Sequence, residues 1–497
     1  MFSVTYLGHQ GWLVQGGRSR ILVDPLLTAE YSPGFQAEIY PPRTFDHRKF
    51  PAIDAVVLSH EHADHLNLPS LALLDRAVPI ILPARSARAL HDAVAGLGFR
   101  VVASRVGDTF AVGELELTLL GGVAPGAQLD WEVTNLQILI ADRARHGSFF
   151  TYVDTWPTAQ TLEVVRRRVG AIGVLCHANN VMDWSCLEAG PGGAPPVTAL
   201  AFAAELAAAE ASWWRAGEAP AVSAICGPGL VFRGDDAWMN QILCVDPERV
   251  RDALHALIPE RTFRAPASGE TIELVRGAVR RIAPHTPFVR APDRAAWPSL
   301  RVARRRALIE DFPPACGERS LDDAAWPTVL AQLDQLAAFL YRRDLFHGVL
   351  ALDGRAPGKR KPAFALVLRC DDADTAQVLE YQPEASRFAI VAAARPLETY
   401  ALGLECWASD LWRVLVGRML PQRLLGHLRT WSFSAAPLSP LFGVWGFFDA
   451  LYRPAPAAAF YGALVDQLRG RPPQIAAGRH ARHVKRLRRL GSRARPR

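Results

Sequence analysis

Seven consecutive residues concentrate the reactive side chains of this chain: Ser59-His60-Glu61-His62-Ala63-Asp64-His65. They follow the apolar run Ala55-Val56-Val57-Leu58, which reads as a buried strand. His60 and His62 are two apart, so on an extended turn both imidazoles can face one ion. Asp64 and His65 come next and can reach a second ion nearby. Imidazole nitrogen and carboxylate oxygen together suit Zn²⁺, Fe²⁺ or Mn²⁺. A lone histidine is more often packed or solvated. Three histidines and an aspartate between positions 60 and 65 are hard to explain by packing. His177 stands at a strand end in Leu175-Cys176-His177-Ala178, a suitable place for a site residue. As a lone histidine it is as well explained by packing.

The elements that must position these residues are short strands separated by turns. Up to about residue 118 the strand patterns are 3–7, 11–15, 20–24, 55–58, 79–82 and 114–118. Helical patterns cover 69–74 and 86–97, with Ser86 as a cap. Two more strands are expected at 134–140 and 149–153. From there the pattern becomes αβ, with helices at 161–169 and 199–216 and strands at 171–176 and 222–226. Strands first and alternation later suit a layered sheet sandwich flanked by helices.

At 497 residues the chain should form about two to four domains. We expect a metal-binding α/β domain over 1–255, a proline-rich linker over 256–300 and an α+β domain over 301–475. The stretch 476–497 is basic, has no acidic residue and reads as a disordered tail. It holds much of the net charge of +7, so that charge is weak support for a nucleic-acid partner, and no DNA partner is expected. Seven cysteines, odd in number and without a C-x-x-C pair, point to reduced thiols and a cytoplasmic protein. Neither a signal peptide nor a membrane span is expected.

The H-x-H-x-D-H run after a strand resembles the signature of the metallo-β-lactamase superfamily. Tyr6-Leu7-Gly8-His9-Gln10-Gly11 and Leu22-Val23-Asp24-Pro25 are similar to the opening of its UlaG-like branch, and Tyr152-Val153-Asp154-Thr155 to the strand bearing its bridging aspartate. The resemblance covers about residues 1–250. It implies an αββα sandwich with one or two Zn or Fe ions at its edge, held by His60, His62, Asp64, His65 and Asp154. Asp64, His9 and His177 are the implied catalytic residues. Two family histidines are missing, one near Gly121–Pro125 and one near Cys226. Substitutes would be His9, His177, Cys226, Asp235 or water. The depleted pattern is similar to the metal domain of CMP-N-acetylneuraminate hydroxylases, but without their Rieske domain, since the required pairs of cysteine and histidine are absent.

Three functions follow from the resemblance. The leading one is a hydrolase that uses a metal-bound water on a small-molecule substrate, apolar or amphiphilic. The second is an iron-dependent oxygenase fed by an external electron-transfer partner. The third is a non-catalytic ligand-binding protein with a residual metal site. Residues 340–435 bear a faint similarity to sterol-carrier-protein-like domains through Ser409-Asp410-Leu411 and Gly417. Between 300 and 475 the histidines are His347 and His427, so this half is expected to recognise substrate and not to bind metal. The aromatic stripe Leu441–Leu451 is expected to be mostly core, with some of it facing the metal cleft.

Overall fold

The computed structural model describes residues 1–489 except 32–36, 124–133, 180–187, 190–197, 216, 228, 243–245, 292–311, 354–359, 372–375 and 433–439. Two compact units make up the chain. One comprises residues 1–182, 197–302 and 463–497, the other 183–196 and 303–462.

Alternating apolar residues build the first unit from two eight-stranded sheets. The first sheet runs Ala278–Ala283, Thr271–Val275, Phe2–Gly8, Gly11–Gly16, Ser19–Val23, Ala55–Val57, Ile80–Pro83, Val101–Ser104. The second runs Phe263–Arg264, Val222–Cys226, Val174–Ala178, Ser148–Thr151, Gln137–Asp142, Leu115–Leu120, Asp108–Val112, Lys485–Arg489. Their inner faces share one core, in which Val4, Trp12 and Val57 meet Leu117, Ile138 and Phe149. Helices Ala159–Val169 and Ala199–Trp213 cover the outer face of the second sheet through Leu162, Val165 and Trp213. Helix Arg88–Gly96 buries Leu90 and Val94 beside the first sheet. This is the αββα arrangement.

Parallel pairing decides where a site can form. Ser19–Val23, Ala55–Val57 and Ile80–Pro83 are parallel neighbours, and so are Ser148–Thr151, Val174–Ala178 and Val222–Cys226. Ligand sites in such sheets lie beyond the carboxyl ends of the strands. The residues that follow those ends here are Asp24, the run from Ser59 to His65, and Asp154.

Several boundaries differ from those read off the sequence. The helix expected at 86–97 spans Arg88–Gly96 with Ala87 as its N-cap, and no side chain caps it. The one at 69–74 is a single turn, Leu68–Leu71, capped by Asn67. Within the stretch expected as a linker, 256–300, the described residues 256–291 are part of the first unit. The strand Thr271–Val275 pairs with Phe2–Gly8, burying Ile272 and Leu274 in the core. Pro259, Pro266, Pro284 and Pro287 lie between elements, where a missing N–H costs nothing.

Residues 476–489 are not a loose tail either. Lys485–Arg489 pairs with Asp108–Val112, and Ile53 donates to the Ala476 carbonyl at 2.9 Å. Asp54 accepts the His480 N–H at 2.7 Å. Backbone pairing ignores side-chain charge, so a basic sequence can still add an edge strand.

The second unit is a six-stranded mixed sheet in the order Glu188–Ala189, Leu428–Ser432, Tyr400–Trp407, Lys361–Arg369, Gln377–Gln382, Arg387–Val391. Helices Trp326–Tyr341 and Ala408–Leu415 belong to it. Of the aromatic stripe, Val444, Trp445, Phe447 and Phe448 are buried, and Phe447 packs edge-to-face on Phe339. Among the described residues, the apolar space by Leu336, Leu404 and Trp445 is a cavity of about 20 Å³. That holds about one water and not a lipid chain. No helix among the described residues is long and apolar enough to cross a membrane.

Deleting residues 475–497 should destabilise the first unit. Ile475 is buried, and the deleted stretch satisfies the backbone of Ile53 and Asp75 and the Asp54 carboxylate. Losing Ile475 alone should cost about 2 kcal/mol. Denaturant melts of the full and shortened chains would measure it; equal midpoints would show that the segment adds nothing.

Candidate metal centre

The hairpin of strands Phe2–Gly8 and Gly11–Gly16 carries His9 at its tip, where the backbone takes a positive φ of 53°. Val153 does the same at φ 52° just before Asp154, and Asp24 at φ 39° just after its strand. A β-branched residue in this region is a true outlier, and such strain gathers at functional sites.

These turns bring together all five residues expected to bind metal. His60 Nε2 lies 2.8 Å from His62 Nδ1 and 3.2 Å from Asp154 Oδ2. His65 Nε2 lies 3.4 Å from Asp64 Oδ2 and 3.6 Å from Asp154 Oδ2. His9 joins them, with Nε2 3.0 Å from Asp64 Oδ2. His65 Nε2 decides whether an ion fits. It is buried and makes no hydrogen bond of good geometry, only ion-pair contacts to the two carboxylate oxygens that flank it. A buried polar atom without a partner is costly. An ion at the usual bond length of about 2.0–2.2 Å would satisfy it, so the donor set fits a metal such as zinc or iron.

A second layer orients these ligands. Fully buried Asp24 accepts the Ser59 N–H at 2.8 Å, the Ser59 hydroxyl at 2.6 Å and His65 Nδ1 at 2.9 Å. Ser59 Oγ is in turn 2.9 Å from His60 Nδ1. Such carboxylate–histidine contacts set ring orientation and tautomer at metal sites. The Tyr31 hydroxyl donates to Asp64 Oδ2 at 2.9 Å. Arg43, buried and pushed down to about 9 by its burial, donates to the Leu7 carbonyl at 2.9 Å and the Thr28 carbonyl at 3.0 Å. It thereby seats the segment that leads to Tyr31.

The local electrostatics follow from this crowding. Burial opposes ionisation of Asp64, but His65 and His9 outweigh it and hold the carboxyl well below its usual range. Burial likewise opposes a charged His65, yet Asp64 and Asp24 raise it well above 6.5. Burial, then the neighbouring His60, pushes His62 down to about 3. Burial also opposes the charge on Asp154, which His60 and His65 nonetheless keep low. Burial and the Asp64 charge keep the Tyr31 hydroxyl protonated.

Not every candidate belongs to the cluster. His177 is fully buried, with Nδ1 2.7 Å from the Tyr152 hydroxyl and Nε2 2.7 Å from Glu210 Oε1. Strand alternation explains this. Cys176 faces the core between the sheets, so its neighbour must face the helix layer. The catalytic role implied for His177 is therefore replaced by a structural one. Cys226 is a buried thiol pushed up by burial and Cys176, with its sulfur 3.1 Å from Gln10 Oε1. It does not substitute for the missing histidine. Glu61, within the motif, turns away and accepts the Ala87 N–H at 2.9 Å, at the start of helix Arg88–Gly96. Ala124, at the other missing histidine, lies outside the described residues, as does the Asp235 side chain. Three residues beyond Cys226, Gly229 donates its N–H to His9 Nδ1 at 3.2 Å. A Cβ on Gly229 would lie 2.7 Å from the His9 Cα, so only glycine allows this approach.

Residues 19–211 match the model of the β-lactamase superfamily domain. The chain carries a metallo-β-lactamase fold domain. Solved structures similar to it include CmlA, a diiron β-hydroxylase from Streptomyces venezuelae. That match has 16% identity and a TM-score of 0.35, and covers 55% of this chain and 54% of CmlA. The isothiocyanate hydrolase from Delia radicum gut bacteria is 15% identical with a TM-score of 0.38, covering 55% and 99%. YhfI from Bacillus subtilis is 17% identical with a TM-score of 0.35, covering 55% and 100%. This chain thus spans about half the length of CmlA.

Two predictions follow from the second layer. Asp24→Asn should weaken metal affinity about 10–100-fold while no candidate ligand is touched. Competition with a chromophoric chelator would measure this, and unchanged affinity would remove Asp24 from the site. The second concerns pH in metal-stripped protein. His65 is raised by folding, so its contribution is complete below 6.5 and is lost as pH rises through its folded value. Asp64 is lowered, so its contribution is present above 3.8 and is lost as pH falls through its folded value. Melting temperature of the stripped protein should therefore decline on the alkaline side of 6.5, and added Zn²⁺ should flatten that decline. A stripped protein whose stability rises from pH 6.5 to 9 would contradict the pairing.

Proposed function

We propose that the first unit is a metal-dependent hydrolase acting on a small organic ester, lactone or phosphodiester. The observation that carries this reading is the unbonded His65 Nε2 among His60, His62 and Asp154. Hydrolysis is preferred because it is the reaction most often found on this fold, an argument from analogy. A bound Zn or Fe ion would supply a lowered pKa for coordinated water and a polarised carbonyl or phosphoryl oxygen.

The residues of the chain do the rest. His60, His62, His65 and Asp154 would hold the ion, with Ser59 and Asp24 keeping the imidazoles in the ligating orientation. His60 and His65 are fully buried, whereas the side chains of Asp64 and Asp154 keep 21% and 12% of their surface. Substrate would therefore approach from the carboxylate side. Asp64, held ionised by its neighbours, is placed to accept the proton that a water loses as it attacks. His9 and Tyr31 hold that carboxylate in position. The five described cysteines are free thiols, which supports a reducing, cytoplasmic setting. Substrate choice is assigned to the second unit, none of whose described residues belongs to the cluster.

The metal-loaded protein should cleave members of an ester, lactone and phosphodiester panel without O₂ or reductant. His62→Ala should lower kcat/KM at least about a hundredfold. Turnover that requires iron, O₂ and an electron donor would replace this reading with an oxygenase. Tight metal binding without turnover on either kind of assay would favour a ligand-binding protein.

A further inference from the structure

Two seats for an ion lie within the cluster. His60, His65 and Asp154 form one, and His9, Asp64 and His65 form the other. They compete for His65. Its Nδ1 is occupied by Asp24, so Nε2 is the one nitrogen it can offer, and that nitrogen can serve a single ion.

Hydrogen-bond direction separates the seats. Ser59 Oγ donates to Asp24 Oδ2 and so, at 2.9 Å, receives the proton of His60 Nδ1, the Asn135 amide at 3.5 Å being the more distant neighbour. His65 Nδ1 likewise gives its proton to Asp24. In their neutral forms both rings would then present a bare Nε2, the form a ligand needs. His9 is arranged the opposite way. A backbone amide can only donate, so the Gly229 N–H pointing at His9 Nδ1 makes Nδ1 the acceptor. The proton of the neutral ring must then sit on Nε2, which leaves no lone pair there for a metal. That N–H donates to Asp64 Oδ2, 3.0 Å away, and the same oxygen takes the Tyr31 hydroxyl at 2.9 Å. To bind an ion there, His9 would have to shift its proton to Nδ1 and lose the Gly229 N–H bond, and Asp64 would have to give up two donors.

We propose that this chain holds one metal ion, seated by His60, His62, His65 and Asp154, and that Tyr31 and His9 occupy the second seat by hydrogen-bonding Asp64. This rests on the metal-centre reading above. Asp64 then stands beside the ion as a free carboxylate, not as a ligand, and Tyr31 and His9 are its positioning residues. The glycine at 229 is part of the device, because its N–H sets the His9 tautomer.

Metal stoichiometry tests this without any activity assay. Metal-stripped protein is titrated with Mn²⁺ and, separately, Zn²⁺, then desalted and analysed for bound metal. One ion per chain is expected, with an Mn²⁺ spectrum free of spin coupling between paired ions. Asp64→Asn should keep that ion with Kd within about tenfold of the parent, while Asp154→Asn weakens it at least about a hundredfold. Two tightly held ions in the parent protein would overturn the proposal, whatever the variants do. So would an Asp64→Asn protein, folded by its melting curve, that loses the ion as fully as Asp154→Asn. No ion at all in the parent would instead overturn the metal-centre reading, a distinguishable failure.

Discussion

A single buried carboxylate, Asp24, holds the candidate metal centre in shape. It is removed from water, which for an unpaired charge costs several kcal/mol. Three donors offset that cost: the Ser59 N–H, the Ser59 hydroxyl and His65 Nδ1. The same contacts lock the ends of two parallel strands, since the Asp24 N–H also donates to the Val57 carbonyl at 3.1 Å. One side chain thus joins backbone register to imidazole orientation. His65 is oriented directly and His60 through Ser59.

Everything beyond this pair adjusts it. The second sheet brings Asp154, and the core between the sheets, with Trp12 and Phe149 at 5.4 Å, keeps the two strand ends opposed. Close-packed interiors deform little, so a ligand set drawn from two sheets can be held to within fractions of an ångström. The hairpin that carries His9 and the segment that carries Tyr31 are tied to each other through Arg43 and its backbone acceptors. Both converge on one oxygen of Asp64. The fold therefore treats its two carboxylates differently: Asp154 Oδ2 lies 3.2 Å from His60 Nε2 and 3.6 Å from His65 Nε2, whereas Asp64 Oδ2 also takes the Tyr31 hydroxyl and lies 3.0 Å from His9 Nε2.

The second unit follows a different logic. Its polar residues serve the fold. Glu405 bridges Arg369 and Arg429 on neighbouring strands, and Asp410 accepts the N–H groups of Ala315 and Cys316. Its aromatic residues pack on one another, and the apolar space beside Trp445 and Phe448 is water-sized. No cluster of candidate metal ligands occurs there among the described residues.

The sequence alone determined the metal motif, because metal ligation demands particular atoms at short spacing and few other pressures produce three histidines and an aspartate there. It also determined the sheet sandwich, since the alternation of Ser3–Leu7 and Glu114–Thr118 has a period of two. It could not show that residues 263–290 and 485–489 complete the two sheets. Strand pairing is backbone chemistry between distant segments, and neither the prolines of the one nor the arginines of the other reveal it. His177 looked like a site residue because it ends a strand; only the tertiary structure shows which face of that strand it occupies. Asp24 stood out only as part of a strand-end pattern, and Tyr31, Arg43 and Gly229 gave no local signal, since each acts through a partner at least 15 positions away. Whether His9 ligates or donates was decided by the direction of one backbone N–H, and that direction exists only once the chain from position 229 has folded back against the first hairpin.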